Sequence, residues 1–129
     1  MTCVGVDGAK SGWIVAWRQG EAFAFEAYPD AVSLQTSHAA AAVIAVDVPI
    51  GLADAGSRTA DREARRFVGG RRACSVFSAP VRGILDAATQ PEASRRHREI
   101  DGRGFGAQAF GILPKVREFR DLIEEHIRE

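Results

Sequence analysis

The sequence predicts an α/β fold in which a mixed sheet carries flanking helices. Two observations support this class. Three short apolar runs, separated by glycine-containing turns, open the chain and are typical of a meander of strands. A fourth apolar run follows an alanine-rich stretch, and a strand that follows a helix lies most simply parallel to its neighbour in the sheet. We therefore expect the first and fourth strands to be parallel neighbours.

Each element of the first half has its own signal. The three opening strands are predicted at "CVGVDG", "GWIVAWRQG" and "EAFAFEAYP". A short helix is predicted at "DAVSLQTSHAAAA", which starts with an acid and is rich in alanine. The fourth strand, within "VIAVDVPIGL", is expected to be fully buried and to stop at Pro49, because proline cannot donate a hydrogen bond to a sheet.

The second half has a helical pattern. A helix over "TADREARRFV" is expected to be capped by Thr59 and to end at Gly69 and Gly70. A second helix is expected to start near Ser78-Ala79-Pro80 and to run through "VRGILDAA", because proline suits the first turn of a helix.

The remaining residues alternate between charged and apolar segments. Residues 89–106 mix charge with glycine, so this segment is expected to be exposed and partly helical around "EASRRHREI". A last helix is predicted after Pro114. Its apolar stripe consists of Val116, Phe119, Ile123 and Ile127.

Composition is that of one domain with an uneven charge distribution. The 129 residues are 46% hydrophobic, which suffices for a single domain over residues 1–129, with a sheet half (1–52) and an arginine-rich helical half (53–129). Residues 1–57 carry two basic and six acidic side chains (−4), and residues 58–129 carry fifteen and eleven (+4). The basic half could hold an anion near an acid-bound metal, although a solvated arginine-rich helix face explains the same pattern.

The chain is expected to be soluble and cytoplasmic. No apolar stretch approaches the roughly 20 residues of a membrane helix, and no secretory signal opens the sequence. Cys3 and Cys74 have neither metal-ligand nor disulfide-scaffold spacing, so reduced thiols are expected. His38, His97 and His126 have no partner at metal-ligand spacing either, and the sequence assigns them no chemistry.

Two aspartates are the strongest candidates for a functional site. Asp7 is predicted to end the first strand and Asp47 the fourth, and the carboxyl ends of parallel neighbours lie on one rim of the sheet, roughly 5 Å apart. Two carboxylates at that distance repel unless a cation lies between them, and Mg²⁺ or Mn²⁺ is the oxygen-seeking ion that such a pair selects. The alternative is that each aspartate only accepts backbone hydrogen bonds in a turn.

Four stretches of the sequence, in order along the chain, carry a family resemblance. They are "GVDGAKSGWIVA", "VDVPIGLADAGSRTADREARR", "RRACSVFSAPVRGIL" and "GAQAFGILPKVRE". Together they resemble the bacterial and archaeal domain-of-unknown-function family described as predicted ribonuclease H-like nucleases. The resemblance implies a ribonuclease H-like sheet of order 3-2-1-4-5 with carboxylates at the ends of strands one and four, where Asp7 and Asp47 stand.

The same resemblance implies elements beyond this sequence. The family continues past the "PKVRE" helix into a further strand and helix that supply more of the acidic site, whereas this sequence stops at Glu129. If the sequence is a whole gene product, the fifth strand and one or two metal ligands are missing; if it is a fragment, the fifth strand covers the edge of the fourth. An uncovered fourth strand could pair with a strand partner or with a second copy.

Two further acids could complete a metal site. Asp54 and Asp61 could reach the rim that holds Asp7 and Asp47. The alternative, which we favour, is that Asp54 is a turn acid and Asp61 is an acid at the start of a helix.

A second group of residues is predicted to bind phosphate or substrate. Arg71, Arg72, Ser75 and Ser78 form a polar loop that could hold phosphate oxygens, or an ordinary surface loop. Gln108 and Lys115 match the family pattern and are expected to face the cleft, although both also suit exposed helix positions.

These signals support three functions. The first is a metal-dependent nuclease that uses Mg²⁺ or Mn²⁺ at Asp7 and Asp47 and has nucleic acid as its partner. The second is a non-catalytic interaction module of the same fold. The third, less favoured, is a nucleotide-binding protein of the kinase or ATPase kind, because "GVDGAKSG" loosely resembles the first phosphate loop of those proteins.

Overall fold

A computed structural model describes residues 2–126 of the chain, with side chains as far as Leu122. The chain forms two compact units. We call Met1–Val48 together with Lys115–Glu129 the sheet unit, and Pro49–Pro114 the helical unit. Across the part of the chain that the structure describes, no helix is both long and apolar enough to cross a membrane.

The sheet unit contains four strands in the order β3-β2-β1-β4, and the mixed α/β class is confirmed. The strands are β1 (Cys3–Ala9), β2 (Gly12–Gln19), β3 (Ala22–Tyr28) and β4 (Val43–Val46). β2 pairs antiparallel with β1 and β3, and β4 pairs parallel with β1, as the sequence predicts. Ala9 pairs with Gly12 and Gln19 with Ala22, so two residues form each hairpin turn.

One face of the sheet packs against α1 (Ala31–Ser37) and α5 (Leu113–His126). Asp30 caps α1, where its carboxylate accepts a hydrogen bond from the Ser33 backbone N–H. The buried cluster draws residues from the strands and from both helices: Val4, Val6, Trp13, Val15, Tyr28, Ala31, Leu34, Phe119 and Leu122.

The apolar stripe predicted for the last helix is confirmed at Val116 and Phe119, which are both buried. The helix starts at Leu113, one residue before Pro114, which suits the first turn of a helix. The predicted position Ile127 lies outside the described residues, and so does the side chain of Ile123.

The other face of the sheet is exposed, and the prediction of a fully buried fourth strand is wrong. β4 lies at the edge, ends at Val46 rather than at Pro49, and leaves Val43 51% exposed. Because successive side chains of a strand alternate between faces, the residues that alternate with the buried ones along each strand define this surface. We call it the open face: Gly5, Asp7, Ile14, Ala16, Arg18, Phe23, Phe25, Val43, Ala45 and Asp47.

The helical unit contains α2 (Thr59–Val68), α3 (Gln90–Asp101) and α4 (Ala107–Gly111). The prediction that Thr59 caps α2 is wrong, because Thr59 is the first helical residue and Arg58 precedes it without a side-chain cap. Gly69 ends the helix as predicted, with a φ of 58°. A short 3₁₀ helix, Gly70–Ser75, follows it.

The second predicted helix is absent from the described structure, where residues 82–84 form only a 3₁₀ turn. The backbone N–H of Arg82 donates to the Ala53 carbonyl at 2.9 Å instead of to a helical partner. Gly83 approaches α3 so closely that a Cβ atom would lie 2.8 Å from Ile100 Cδ1. Tertiary contacts therefore override the local helical pattern here.

The segment predicted to be exposed between residues 89 and 106 is largely α3, and part of it is buried. Thr89 caps the helix by accepting from the Glu92 backbone N–H. Ala93 is fully buried and His97 is only 3% exposed. The prediction of an exposed segment is therefore wrong along one stripe of the helix.

Candidate functional site

Asp7 lies within β1, and Asp47 is the first residue after β4, the parallel neighbour of β1. Val6 pairs with Val46, and the backbone N–H of Asp47 donates to the Val6 carbonyl at 2.9 Å, so each aspartate is the next residue in register. Strands lie about 4.8 Å apart. Because Val6 points into the core, Asp7 points to the open face, and both aspartates are exposed.

The structure corrects where Asp7 stands in its strand. β1 does not end at Asp7 but continues to Ala9 as the partner of β2. What ends before Asp7 is the parallel pairing of β1 with β4. The Asp7 carboxylate also accepts a hydrogen bond of 2.7 Å from the Gly8 backbone N–H, which is the contact that the turn interpretation predicts.

The donor set suits a loosely held hard cation. Mg²⁺ is commonly bound through one or two carboxylates, with water and substrate phosphates as its other ligands. Asp7 and Asp47 offer two carboxylates, and among the described residues no cluster of three or more acids, histidines and cysteines could hold a metal. A shallow depression of about 570 Å³ adjoins the pair, with Ile14 and Phe25 in its lining. Two carboxylates are fewer ligands than a closed structural metal site has, and binding of Mg²⁺ or Mn²⁺ by the pair stays a prediction.

Lys115 lies on the core side of β1. Its Nζ donates to the Gly12 carbonyl at 2.5 Å and lies 4.3 Å from the centroid of the Trp13 ring. Its side chain fills the space beside Gly8, where a Cβ atom would lie 2.8 Å from Lys115 Cδ. The two glycines after Asp7 thus allow close packing: Gly8 against Lys115, and Gly12 against the backbone of Tyr28. Phosphate binding by Lys115 stays a prediction.

Asp61 and Asp54 lie in the helical unit, and each contacts an arginine. Asp61 is 6% exposed and accepts from Arg58 Nη2 at 2.7 Å, from Arg58 Nε at 3.2 Å and from the Ala79 backbone N–H at 3.2 Å. Asp61 lies in the first turn of α2, as the favoured alternative predicts, and its contacts are with Arg58 and with the backbone of Ala79 outside the helix. Asp54 has a side chain that is 90% exposed and accepts from Arg82 Nε at 3.1 Å.

The Asp61 contact predicts a specific pH dependence. The hydrogen bond from Arg58 holds the pKa of the Asp61 carboxyl below its usual range. A lowered pKa stabilises the fold above the unfolded pKa, about 3.9, and this stabilisation is lost as the pH falls through the folded value. We expect Asp61→Asn to be less stable than wild type at pH 7 by about 2 kcal/mol, and to lose less stability than wild type below pH 4.

Urea unfolding across pH 2–7 measures this difference. Glu63→Gln on the same helix is the matched control, because the ion pair of Glu63 with Arg66 is exposed and contributes little. Parallel pH profiles of wild type and Asp61→Asn would contradict the prediction.

The predicted phosphate loop lies in and after the 3₁₀ helix Gly70–Ser75. Arg71 and Arg72 are exposed, and neither has an acidic partner within 4.0 Å among the described residues. The Ser75 hydroxyl donates to the Arg72 carbonyl at 2.7 Å. Ser78 accepts from Arg65 Nη2 at 2.7 Å, so Arg65, which the sequence analysis did not single out, orders this loop.

Ser78 and Gln108 meet at a pocket of about 390 Å³ within the helical unit, and Arg71 and Arg72 do not line it. His97 also lines the pocket and is 97% buried, and Phe105 stacks on its ring. The sequence alone gives His97 no chemistry, because no partner stands at metal-ligand spacing. The signal that identifies it is its spacing of four residues from the buried Ala93, which places both on one stripe of α3.

The protein has a mixed α/β fold, and the carboxylate pair Asp7 and Asp47 lies where the parallel pairing of β1 with β4 ends. Residues 5–129 match the family described as "Protein of unknown function (DUF429)", and the chain belongs to this family. The comparison with curated proteins gives no match, and the comparison with solved structures gives none either.

Proposed function

We propose that this chain is a metal-dependent nuclease that hydrolyses phosphodiester bonds in nucleic acid. The observation that carries the proposal is the register of β1 and β4, which puts Asp7 and Asp47 side by side and exposed on one face. The strand order and the location of the acids also favour a ribonuclease H-like fold. Strand ends at one rim of a sheet are a common location for sites of this kind.

The chain's own groups provide position and charge. Asp7 and Asp47 stand on hydrogen-bonded backbone, so their carboxylates need little rearrangement to act together. A bound Mg²⁺ or Mn²⁺ supplies a Lewis acid for a phosphoryl oxygen and lowers the pKa of its water. Arg71 and Arg72 are the exposed cations proposed to hold phosphate, and such contacts weaken as salt rises.

The test is Mn²⁺ titration by calorimetry on wild type, Asp7→Asn and Asp47→Asn. We expect saturable binding by wild type and binding weakened more than about tenfold in each variant, because each removes one of two charged ligands. Glu21→Gln is the control, since its fully exposed carboxylate lies in a hairpin turn of the same unit. With Mn²⁺ present, wild type and Glu21→Gln should hydrolyse single- or double-stranded DNA or RNA faster than Asp7→Asn and Asp47→Asn do. A folded wild type that binds no Mn²⁺ contradicts the proposal.

A second candidate is an interaction module, and the open face favours it. Phe23 and Phe25 are 69% and 68% exposed there, and Ile14 and Val43 are 41% and 51% exposed. Contiguous apolar surface of this kind marks interaction sites. The sequence predicts a partner at the edge of β4, and the open face offers a wider apolar surface.

The partner that fits the open face is a second copy of the chain. Asp7 and Asp47 lie at one end of this face and Arg18 lies toward the other end, so two copies with antiparallel strands would bring opposite charges together. Sedimentation velocity on the titration samples separates the two functions. A metal-independent dimer without hydrolysis favours the module, and a monomer that binds Mn²⁺ favours the nuclease.

A further inference from the structure

The pocket of the helical unit is built differently from the acidic site on the sheet. Its volume of about 390 Å³ is at the small end of the range of roughly 300–1,000 Å³ that is typical of ligand sites. His97 and Phe105 are its most buried residues, at 3% and 5% exposure, and Phe77 is its most exposed aromatic ring, at 65%. Ser78 and Gln108 add a hydroxyl and an amide.

His97 is the most buried polar residue in the lining of this pocket. Its Nδ1 lies 2.7 Å from the Arg103 carbonyl, which can only accept, so Nδ1 donates to it and Nε2 is the remaining polar atom of the ring. Among the described residues the Arg103 carbonyl is the only hydrogen-bond partner of the ring, and no fully buried side-chain nitrogen or oxygen lacks a partner. Nε2 is therefore not fully buried, and because His97 lines the pocket, a ligand there can form a hydrogen bond with this atom.

The rest of the lining selects a neutral, planar ligand. Phe105 stacks on His97 with ring centroids 5.3 Å apart and holds the imidazole in place, while the exposed ring of Phe77 offers a stacking surface. The guanidinium of Arg103 is held by Asp101 at 2.6 Å and 3.0 Å, so its charge is already compensated. Ser78 accepts from Arg65, which leaves its own hydrogen to donate.

We propose that this pocket binds a nucleobase. A base combines an aromatic plane for Phe77, an edge group that can form a hydrogen bond with His97 Nε2, and further edge groups for Ser78 and Gln108. Two sources share this chemistry: a free nucleotide, and an unpaired base of single-stranded nucleic acid. The proposal is independent of the carboxylate pair, so it is tested in EDTA, where no metal site contributes.

The first measurement is binding of AMP, GMP, CMP and UMP to the full chain by saturation-transfer NMR and calorimetry. Ribose 5-phosphate, which lacks a base, is the matched ligand. We expect saturable binding of at least one nucleotide and none of ribose 5-phosphate. Tighter binding of a single-stranded oligonucleotide than of its monophosphates identifies nucleic acid as the source, and equal affinity identifies the free nucleotide. Absence of nucleotide binding by the folded chain overturns the proposal.

Two variants locate the ligand. Phe77→Ala should weaken nucleotide binding about tenfold, because it removes a stacking surface. His97→Asn retains a donor for the Arg103 carbonyl and removes Nε2, and should weaken binding about fivefold. Phe67→Ala is the control, because this ring is 92% exposed and lies outside the pocket. Since Phe77 is exposed, its variant should fold even if His97→Asn does not, and unchanged affinity in folded Phe77→Ala overturns the proposal.

Discussion

Gly12→Ala is expected to prevent the sheet unit from folding. Gly12 has a φ of 120°, and a Cβ atom there would lie 2.1 Å from the Tyr28 carbonyl oxygen and 3.0 Å from Pro29 Cα. Both neighbours are backbone atoms, so no side-chain rotation relieves the overlap. We expect a loss of at least about 4 kcal/mol in the free energy of unfolding, which exceeds the effect of most single substitutions. Far-UV circular dichroism and urea unfolding measure it.

Gly20→Ala is the matched control, because Gly20 also has a positive φ, 63°, but no atom lies within 4 Å of its added Cβ. Backbone strain alone should cost about 1 kcal/mol there. Equal losses in the two variants would show that close packing at Gly12 is not what stabilises the hairpin.

Trp13→Ala is expected to lower the free energy of unfolding by about 3–5 kcal/mol. Trp13 is fully buried, and its ring meets the Phe119 ring edge-on at a centroid distance of 4.8 Å. Its Nε1 donates to Glu118 Oε2 at 2.9 Å, and the same oxygen accepts from the Ala31 backbone N–H at 2.9 Å. The substitution therefore leaves a large cavity and removes one partner of a half-buried carboxylate.

Urea unfolding followed by far-UV circular dichroism tests this effect without relying on tryptophan fluorescence. Trp17→Ala is the control for removing an indole, because Trp17 is only partly buried at the margin of the same core. We expect a smaller loss there. A loss below about 1.5 kcal/mol in Trp13→Ala would contradict the assignment of Trp13 as the centre of the core.

The sheet could be predicted from sequence because its signals are local. Apolar runs bounded by glycine turns define β1 to β3, and chain order alone favours β4 beside β1. The missing second helix could not be predicted, because the contact of Gly83 with Ile100 joins residues that are distant along the chain. Burial of the fourth strand was overestimated because a continuous apolar run suits both a central strand and an edge strand.

The candidate site residues also differ in whether a local or topological signal predicts them. Asp7 and Asp47 follow from topology, since parallel neighbours bring equivalent residues together. The contact of Lys115 with Trp13 depends on how α5 packs and has no local signal. His97 stands among arginines in "SRRHREI", and such a charged context indicates an exposed position. In the structure, however, His97 and Ala93 lie on one buried stripe of α3.

β3 exposes its phenylalanines and directs its small alanines toward the core, and this arrangement affects how the hairpins fold. Phe23 and Phe25 face solvent, while the small side chains of Ala22 and Ala24 share the side of the core residues on β2. A slip of one residue would exchange the two sets and bring both phenyl rings inside, so apolar burial alone favours the wrong pairing. The two-residue turns and the close packing of Gly12 oppose that slip. Turn geometry therefore selects the native register. Hairpins whose register is shifted by one residue are the alternative state that competes with it during folding.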